Sequence, residues 1–202
     1  MKTLLIYSGG LDSTTLLHYL LERKDEVRCL SFDYDQKHKV ELIYAKYWTD
    51  KFNVPHEIVS LAGIFAGSAL TGDKPMPQGH YTDISMRQTV VPNRNMVMLA
   101  IAASKAIQAN CDAVAYAAHA DDRGVYPDCR QEFVTAMDAV LGLCDWKKLS
   151  LITPFLGMTK KAVYKRAVEL NVRVDKTWSC YEGGETPCGR CGACSSRQEA
   201  IA

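Results

Sequence analysis

The residues Ser8-Gly9-Gly10-Leu11-Asp12-Ser13-Thr14 follow directly on the apolar run Leu4-Leu5-Ile6-Tyr7. A short strand that stops at two glycines and restarts as a helix turns unpaired N–H groups and the positive end of a helix dipole toward one small volume. That arrangement suits a phosphate. Gly9 and Gly10 let the backbone approach closely, and the hydroxyls of Ser8, Ser13 and Thr14 can donate to phosphate oxygens. Residues 8–14 are therefore expected to hold a nucleotide pyrophosphate group. Asp12 places a carboxylate beside that polyphosphate, which implies either a bridging Mg2+ or a role in orienting the loop. The competing reading is a glycine-rich strand-to-helix turn capped by Ser or Asp. Neither G-x-x-x-x-G-K-[ST] nor G-x-G-x-x-G occurs.

A second group lies at the other end, where Cys180, Cys188, Cys191 and Cys194 follow the spacing C-x7-C-x2-C-x2-C. Thiolates at C-x2-C spacing grip one metal ion from a tight turn, and Gly189 and Gly192 supply the bend. Four sulfurs complete a tetrahedron with no open position, as in a structural Zn2+ site, worth on the order of 10 kcal/mol to the folding of a short tail. An iron–sulfur cluster and unligated or redox-active thiols are the alternatives, although no downstream Cys-Pro follows the run. The other four cysteines, Cys29, Cys111, Cys129 and Cys144, are scattered through apparent core elements and read as thiols.

The elements that must carry these groups show in the hydrophobic periodicity. Leu16, Leu17, Leu20 and Leu21 predict a helix to about Lys24, and Val27 to Phe32 a second strand. Val40, Ile43, Tyr44, Tyr47 and Trp48 mark a helix ending near Asn53, followed by a strand over Glu57 to Leu61. Residues 62–94 break the rhythm and read either as a substrate-covering segment or as a surface loop. Met96 to Ile107 predicts a helix, Ala113 to Ala117 a strand, Arg130 to Leu143 a helix, and Leu149 to Thr153 a strand. A last helix runs from Thr159, its N-cap, to Leu170. The alternation predicts an α/β fold: a parallel sheet with helices on both faces, Rossmann-like, with ligands at the carboxyl ends of the strands. Residues 1–175 are expected to form the nucleotide-binding catalytic domain and 176–202 a metal-binding segment packed on it.

The 202 residues are 48% hydrophobic and 23% charged, ordinary values for a globular protein, with a formal net charge of +1. Nothing in that balance draws the chain to nucleic acid or to an anionic membrane. No apolar run approaches the ~20 residues of a membrane helix, and the N-terminus lacks a secretory pattern, so a cytoplasmic location is expected.

The Ser-Gly-Gly-x-Asp-Ser run of residues 8–13 resembles the signature of the PP-loop ATP pyrophosphatase superfamily. Three further stretches narrow the resemblance. Phe32-Asp33-Tyr34-Asp35-Gln36-Lys37-His38, Val91-Pro92-Asn93-Arg94-Asn95 and Tyr126-Pro127-Asp128-Cys129-Arg130 are similar to the FDYxQRH, VPGRN and YPDCR motifs of the QueC family of 7-cyano-7-deazaguanine synthases. With the terminal cysteines, the similarity covers nearly the whole chain. Lys37 stands where the family has Arg and Asn93 where it has Gly; residues 117–125 depart from its GVCETDFSG.

The resemblance implies an adenine nucleotide alpha hydrolase-like fold with a C-terminal four-cysteine zinc knuckle, ATP, Mg2+ and Zn2+ as cofactors, and a homodimer. The implied reaction converts 7-carboxy-7-deazaguanine and ammonia to the nitrile through adenylated intermediates. It assigns Ser8, Gly9, Gly10, Leu11, Asp12, Ser13 and Thr14 to ATP. Asp12, Lys37, Arg94 and Asp128 become candidate catalytic residues, and Asp33, Gln36, His38, Asn95 and Arg130 candidate substrate contacts. Lys37, Arg94 and His38 would neutralise the substrate carboxylate or developing phosphorane. Asp33 and Asp128 would bond the guanine-like N–H edge or take a proton from ammonium. Two other enzyme readings stay open, an amide-forming variant and a PP-loop tRNA-modifying ligase or thiolase.

Overall fold

The computed structural model describes residues 1–80 and 84–202. Five parallel strands form one sheet in the order β3-β2-β1-β4-β5: β1 Lys2–Ile6, β2 Glu26–Asp33, β3 His56–Ser60, β4 Ala113–Ala115 and β5 Ser150–Ile152. Central β1 and its neighbours β2 and β4 are apolar on both faces, as a strand covered on both sides must be. Side chains alternate between the two faces, so neighbours in sequence enter different cores. Leu5, Tyr7, Cys29 and Ala115 pack under helices α1 (Leu11–Glu22), α2 (Glu41–Phe52) and α5 (Lys160–Glu169), with Leu16, Leu17, Trp48 and Val163. Leu4, Leu30, Phe32 and Val114 pack on the opposite face, under α3 (Arg94–Gln108) and α4 (Gln131–Leu141), with Leu99, Ala102, Val134 and Met137.

The chain runs outward from β1 through β2 to β3 and then returns to β1's other side as β4. The crevice outside the carboxyl ends of β1 and β4 is thus the topological switch point, where open α/β sheets bind ligands.

The described residues of 62–94 are anchored rather than loose. Ala69, Leu70, Met76, Met86 and Val91 are buried in the α3 core, a 3-10 turn spans Ile84–Thr89, and Lys37 N–H donates to Leu70 O at 2.9 Å. Residues 81–83 of the expected covering segment lie outside the described residues. The C-terminus carries a helix that periodicity does not signal: α6, Gly192–Ile201, starts at the cysteine run and packs on α5. No helix among the described residues is long and apolar enough to cross a membrane.

Candidate functional site

A cavity of about 260 Å3 opens at the switch point. Its floor is the end of β1 and the loop into α1. Ser8 Oγ and Ser13 Oγ are 3.0 Å apart, Gly10 N–H donates to Ser8 Oγ at 3.2 Å, and Tyr7 OH meets Thr14 Oγ1 at 3.2 Å, so the loop is held by its own hydroxyls. Gly9 has φ +81°, and a Cβ there would stand 2.4 Å from Glu41 O and 2.5 Å from Ala45 N. Only glycine lets the loop lie this close to α2. Ser8, Gly10, Leu11, Asp12 and Ser13 line the cavity, whereas Gly9 is pressed on α2 and Thr14 is buried under Tyr7.

One end of the cavity is charged. Lys160, first residue of α5, pairs through Nζ with Asp12 Oδ2. His119 Nε2 lies 3.8 Å from the same oxygen and 3.5 Å from Asp122 Oδ1. Burial pushes the Asp12 carboxyl up, but Lys160 and His119 outweigh it and hold the group below its ordinary range. Asp12 Oδ1 and His119 Nδ1 are buried with no hydrogen-bond partner among the described residues. Thr159 Oγ1 accepts from Ala162 N–H at 3.2 Å and Asp121 Oδ2 from Lys160 N–H at 2.7 Å, which fixes the start of α5 toward the loop. The departing stretch 117–125 follows β4 and contributes Ala117, Ala118, His119 and Asp122 to the lining.

The other end is aromatic with one cation. Arg94 Nη1 donates to Tyr34 OH at 3.4 Å, and Tyr126 OH lies 2.7 Å from Thr89 Oγ1 and 3.3 Å from Tyr181 OH. Among the described residues no carboxylate forms an ion pair with Arg94, whose charge Tyr34, Tyr126 and Asp128 favour against the cost of burial. His38 and Glu41 complete this end, Nε2 to Oε1 at 3.6 Å. Burial, helped by Arg94, pushes His38 down to about 3. Burial pushes Glu41 up to about 8 against the Gln36 hydrogen bond and Arg94. The two therefore face each other uncharged.

Of the residues singled out in the sequence, Arg94, His38 and Asn95 join the loop in the lining. Asp128 stands behind it: its Oδ2 accepts Asn95 N–H at 3.2 Å at the start of α3, where Asn93 takes the left-handed φ of 58°. Gln36 is buried and bonded on both ends of its amide, to Tyr34 N, Phe32 O and Glu41 Oε1. Lys37, Asp33 and Arg130 do not line the cavity; they bond Lys74 O, Lys39 Nζ and Arg123 O respectively. Sequence reasoning missed Lys160, Glu41 and Tyr181. The signal for Lys160 was available, since a residue just inside a capped helix that follows a parallel strand faces the ligand end of the sheet.

The sulfurs of Cys180, Cys188, Cys191 and Cys194 all lie within 4.8 Å of one another, with Cys188 and Cys194 4.0 Å apart. A tetrahedral ion with bonds of about 2.3 Å separates its sulfurs by about 3.8 Å, so the set fits one metal ion. Cys188 N–H and Cys191 N–H donate to Cys180 Sγ and Cys188 Sγ at 3.3 and 3.4 Å. The knuckle is tied to the cavity: Tyr181 lines it, and Trp178 N–H donates to Gly9 O at 3.1 Å. From α6, Arg197 donates to Val174 O, Thr177 O, Thr177 Oγ1 and Ser179 Oγ and so holds the strap in place.

Residues 2–202 match the family model of the queuosine biosynthesis protein QueC. A 7-cyano-7-deazaguanine synthase of Methanoregula boonei is 50% identical over all of this chain and 94% of its own length. Among solved structures, the U34-tRNA thiolase NcsA from Methanococcus maripaludis, with its [4Fe-4S] cluster, is similar at TM-score 0.53 and 16% identity, covering 99% of this chain and 64% of that one. A 4-thiouridine synthetase in complex with RNA and bound ATP is similar at TM-score 0.52 and 18% identity, over 99% of this chain and 49% of that one. At these identities the two structures share the fold alone.

Proposed function

The chain belongs to the QueC family of queuosine biosynthesis proteins, and on that premise we propose that it is an ATP-dependent C–N ligase making 7-cyano-7-deazaguanine from 7-carboxy-7-deazaguanine and ammonia. The observation that carries this reading is one cavity with a hydroxyl-rich glycine loop and Lys160 at one end and, among aromatic rings at the other, Arg94, which has no carboxylate partner among the described residues. Such a cavity offers hydroxyls and a cation to a polyphosphate at one end, and an arginine and aromatic faces to a planar, anionic ring at the other.

The substrate carboxylate is anionic and has no leaving group. Its attack on the α-phosphorus of ATP forms an acyl adenylate and releases pyrophosphate, and ammonia then displaces AMP to give the amide. Adenylation of the amide oxygen, followed by loss of AMP and the remaining N–H protons, gives the nitrile. Both activations are one chemistry and need one site.

In this reading Gly10 N–H, Ser8 and Ser13 bind the phosphates, with Leu11 closing the loop's apolar side and Gly9 and Thr14 holding its shape. Lys160 neutralises charge that builds on the phosphates, releasing Asp12 as it does so. Arg94 binds the substrate carboxylate, and Asp128 and Asn95 brace the helix start from which it projects. Asp12, whose Oδ1 has no partner among the described residues, fits a Mg2+ ligand, and the ion would supply charge neutralisation at the pyrophosphate. The four cysteines fit a structural Zn2+, which would supply folding energy to residues 176–202 and no catalytic position.

The test is to incubate the purified chain with 7-carboxy-7-deazaguanine, ammonium and ATP–Mg2+ and follow products by mass. Nitrile with two AMP per molecule supports the proposal. Amide with one AMP identifies the arrested variant, and no AMP at all refutes the ligase reading.

A further inference from the structure

We infer that Glu41 is the specificity residue of the substrate pocket: its carboxylate reads the N1–H and 2-amino edge of the deazaguanine ring. This rests on the function proposed above and assigns a contact within that site.

A guanine-like ring presents two adjacent N–H donors on its Watson–Crick edge, and a site that must know guanine offers them an acceptor and stacks the ring on aromatic faces. Asp33 and Asp128 carry acidic groups near the expected place, but Asp33 is taken by Lys39 at 2.8 Å and Asp128 by the start of α3. Glu41 is the carboxyl group at the aromatic end of the cavity, in company with Tyr34, His38, Arg94, Trp178 and Tyr181. The other lining carboxylates, Asp12 and Asp122, sit at the phosphate end beside His119.

The side chain is aimed by a built chain of hydrogen bonds. Gln36 Oε1 accepts from Tyr34 N–H at 2.8 Å, and its Nε2 donates to Phe32 O at 3.0 Å and to Glu41 Oε1 at 3.2 Å. Gln36 is thereby a positioning residue, locked to the end of β2 and holding one carboxyl oxygen of Glu41. His38 Nε2 approaches the same oxygen at 3.6 Å, and no described residue hydrogen-bonds Oε2. One oxygen is fixed and the other is left to a ligand. The backbone of Glu41 is equally constrained, since its carbonyl packs on the Gly9 position of the phosphate loop.

The charged and titratable groups facing Glu41 are His38 from its own helix approach, Arg94 from α3, and the phenols Tyr34, Tyr126 and Tyr181. Burial leaves the free carboxyl protonated near neutrality. Two ring N–H donors favour the ionised form, so binding releases a proton from this group.

The test measures binding of 7-carboxy-7-deazaguanine and of its analogue lacking the 2-amino group to the holoprotein by calorimetry at pH 7 in two buffers of different ionisation enthalpy. The wild-type chain is expected to prefer the amino compound about 10- to 100-fold and to release a proton on binding it. Glu41→Gln should shrink that preference below about threefold and abolish proton release, while ATP affinity changes less than about twofold. Glu41→Asp, which keeps the carboxylate, should weaken binding but retain the preference. Full preference in Glu41→Gln, or none in the wild-type chain that still binds both rings, overturns the role of Glu41 alone. Failure of the wild-type chain to bind either ring overturns the substrate reading and this inference together.

Discussion

Lys160 Nζ is paired with Asp12 Oδ2 across 148 residues of sequence, joining the first turns of α5 and α1 over the mouth of the phosphate loop. The pair is three-quarters or more shielded, with side-chain exposures of 13% and 23%, so removing the cation leaves a carboxylate that cannot fully rehydrate. Lys160→Met should lower AMP formation by about 10²- to 10³-fold, the usual loss when one charge-stabilising donor is deleted. Asp12→Ala should abolish AMP formation as well. AMP release checked against circular dichroism separates the two effects: unchanged turnover in either variant removes that residue from the phosphate site.

The two loop glycines should differ sharply. At Gly9, an added Cβ meets the backbone of α2 at 2.4 and 2.5 Å with φ at +81°, and neither atom can move without shifting the helix. Gly9→Ala should cost about 3 kcal/mol, combining left-handed strain with overpacking. At Gly10 the nearest atoms are 3.1 and 3.3 Å away and φ is −73°, so Gly10→Ala should cost about 1 kcal/mol, mostly as a poorer helix N-cap. Urea unfolding of both variants measures the difference, and equal costs would mean the loop does not lie on α2 as described.

His38 and Glu41 should give opposed pH dependences. His38 is depressed to about 3, so its contribution to stability is present above 6.5 and lost as pH falls toward 3. Glu41 is raised to about 8, so its contribution is present below 4.5 and lost as pH rises toward 8. Between 4.5 and 6.5 the two slopes cancel, because the unfolded chain gains one proton on His and loses one from Glu. His38→Gln should therefore be relatively more stable at pH 5 than at pH 7.5, and Glu41→Gln the reverse. Parallel unfolding curves at the two pH values in both variants would show that the pair is charged in the native state.

The glycine loop that lines the cavity was legible because its signal is local: strand, glycines, hydroxyls and helix start lie within one short run. The cysteine cluster was legible for a similar reason: the C-x2-C-x2-C run is local, and the structure brings the sulfur of Cys180 to it. Lys160 was legible only in part: a capped helix after a parallel strand points it to the ligand end of the sheet, but only the order β3-β2-β1-β4-β5 brings α5 beside α1. Glu41 carries no motif of its own; Gln36, bonded to Phe32 O in β2, holds its carboxyl at the cavity wall, a contact that periodicity cannot place. Lys37, Asp33 and Gln36 share one motif with His38, yet a turn with Asp35 at φ 60° sends neighbouring side chains to solvent, core and cavity. Helix α6 has little hydrophobic periodicity and is held by the knuckle at its start and by α5 beneath it.

That coupling makes metal loss a test of how the site is assembled. Trp178 N–H bonds Gly9 O, Trp178 Nε1 bonds Cys180 O at 2.7 Å, and the ring of Trp178 packs on Tyr44 at 5.7 Å, so the first cysteine and the phosphate loop share one strap. With four sulfurs unligated, the strap and α6 lose the anchor that fixes them, while the sheet and its two hydrophobic cores keep their own contacts. Cys191→Ser, or removal of the metal by a strong chelator, should lower the melting temperature and weaken ATP binding at least about tenfold, with far-UV dichroism losing little more than α6. Elemental analysis of the untreated protein should find one zinc per chain and neither iron nor sulfide. A chelated protein that binds ATP as tightly as before would show that the strap does not shape the loop. Iron with sulfide would replace the single-ion site by a cluster.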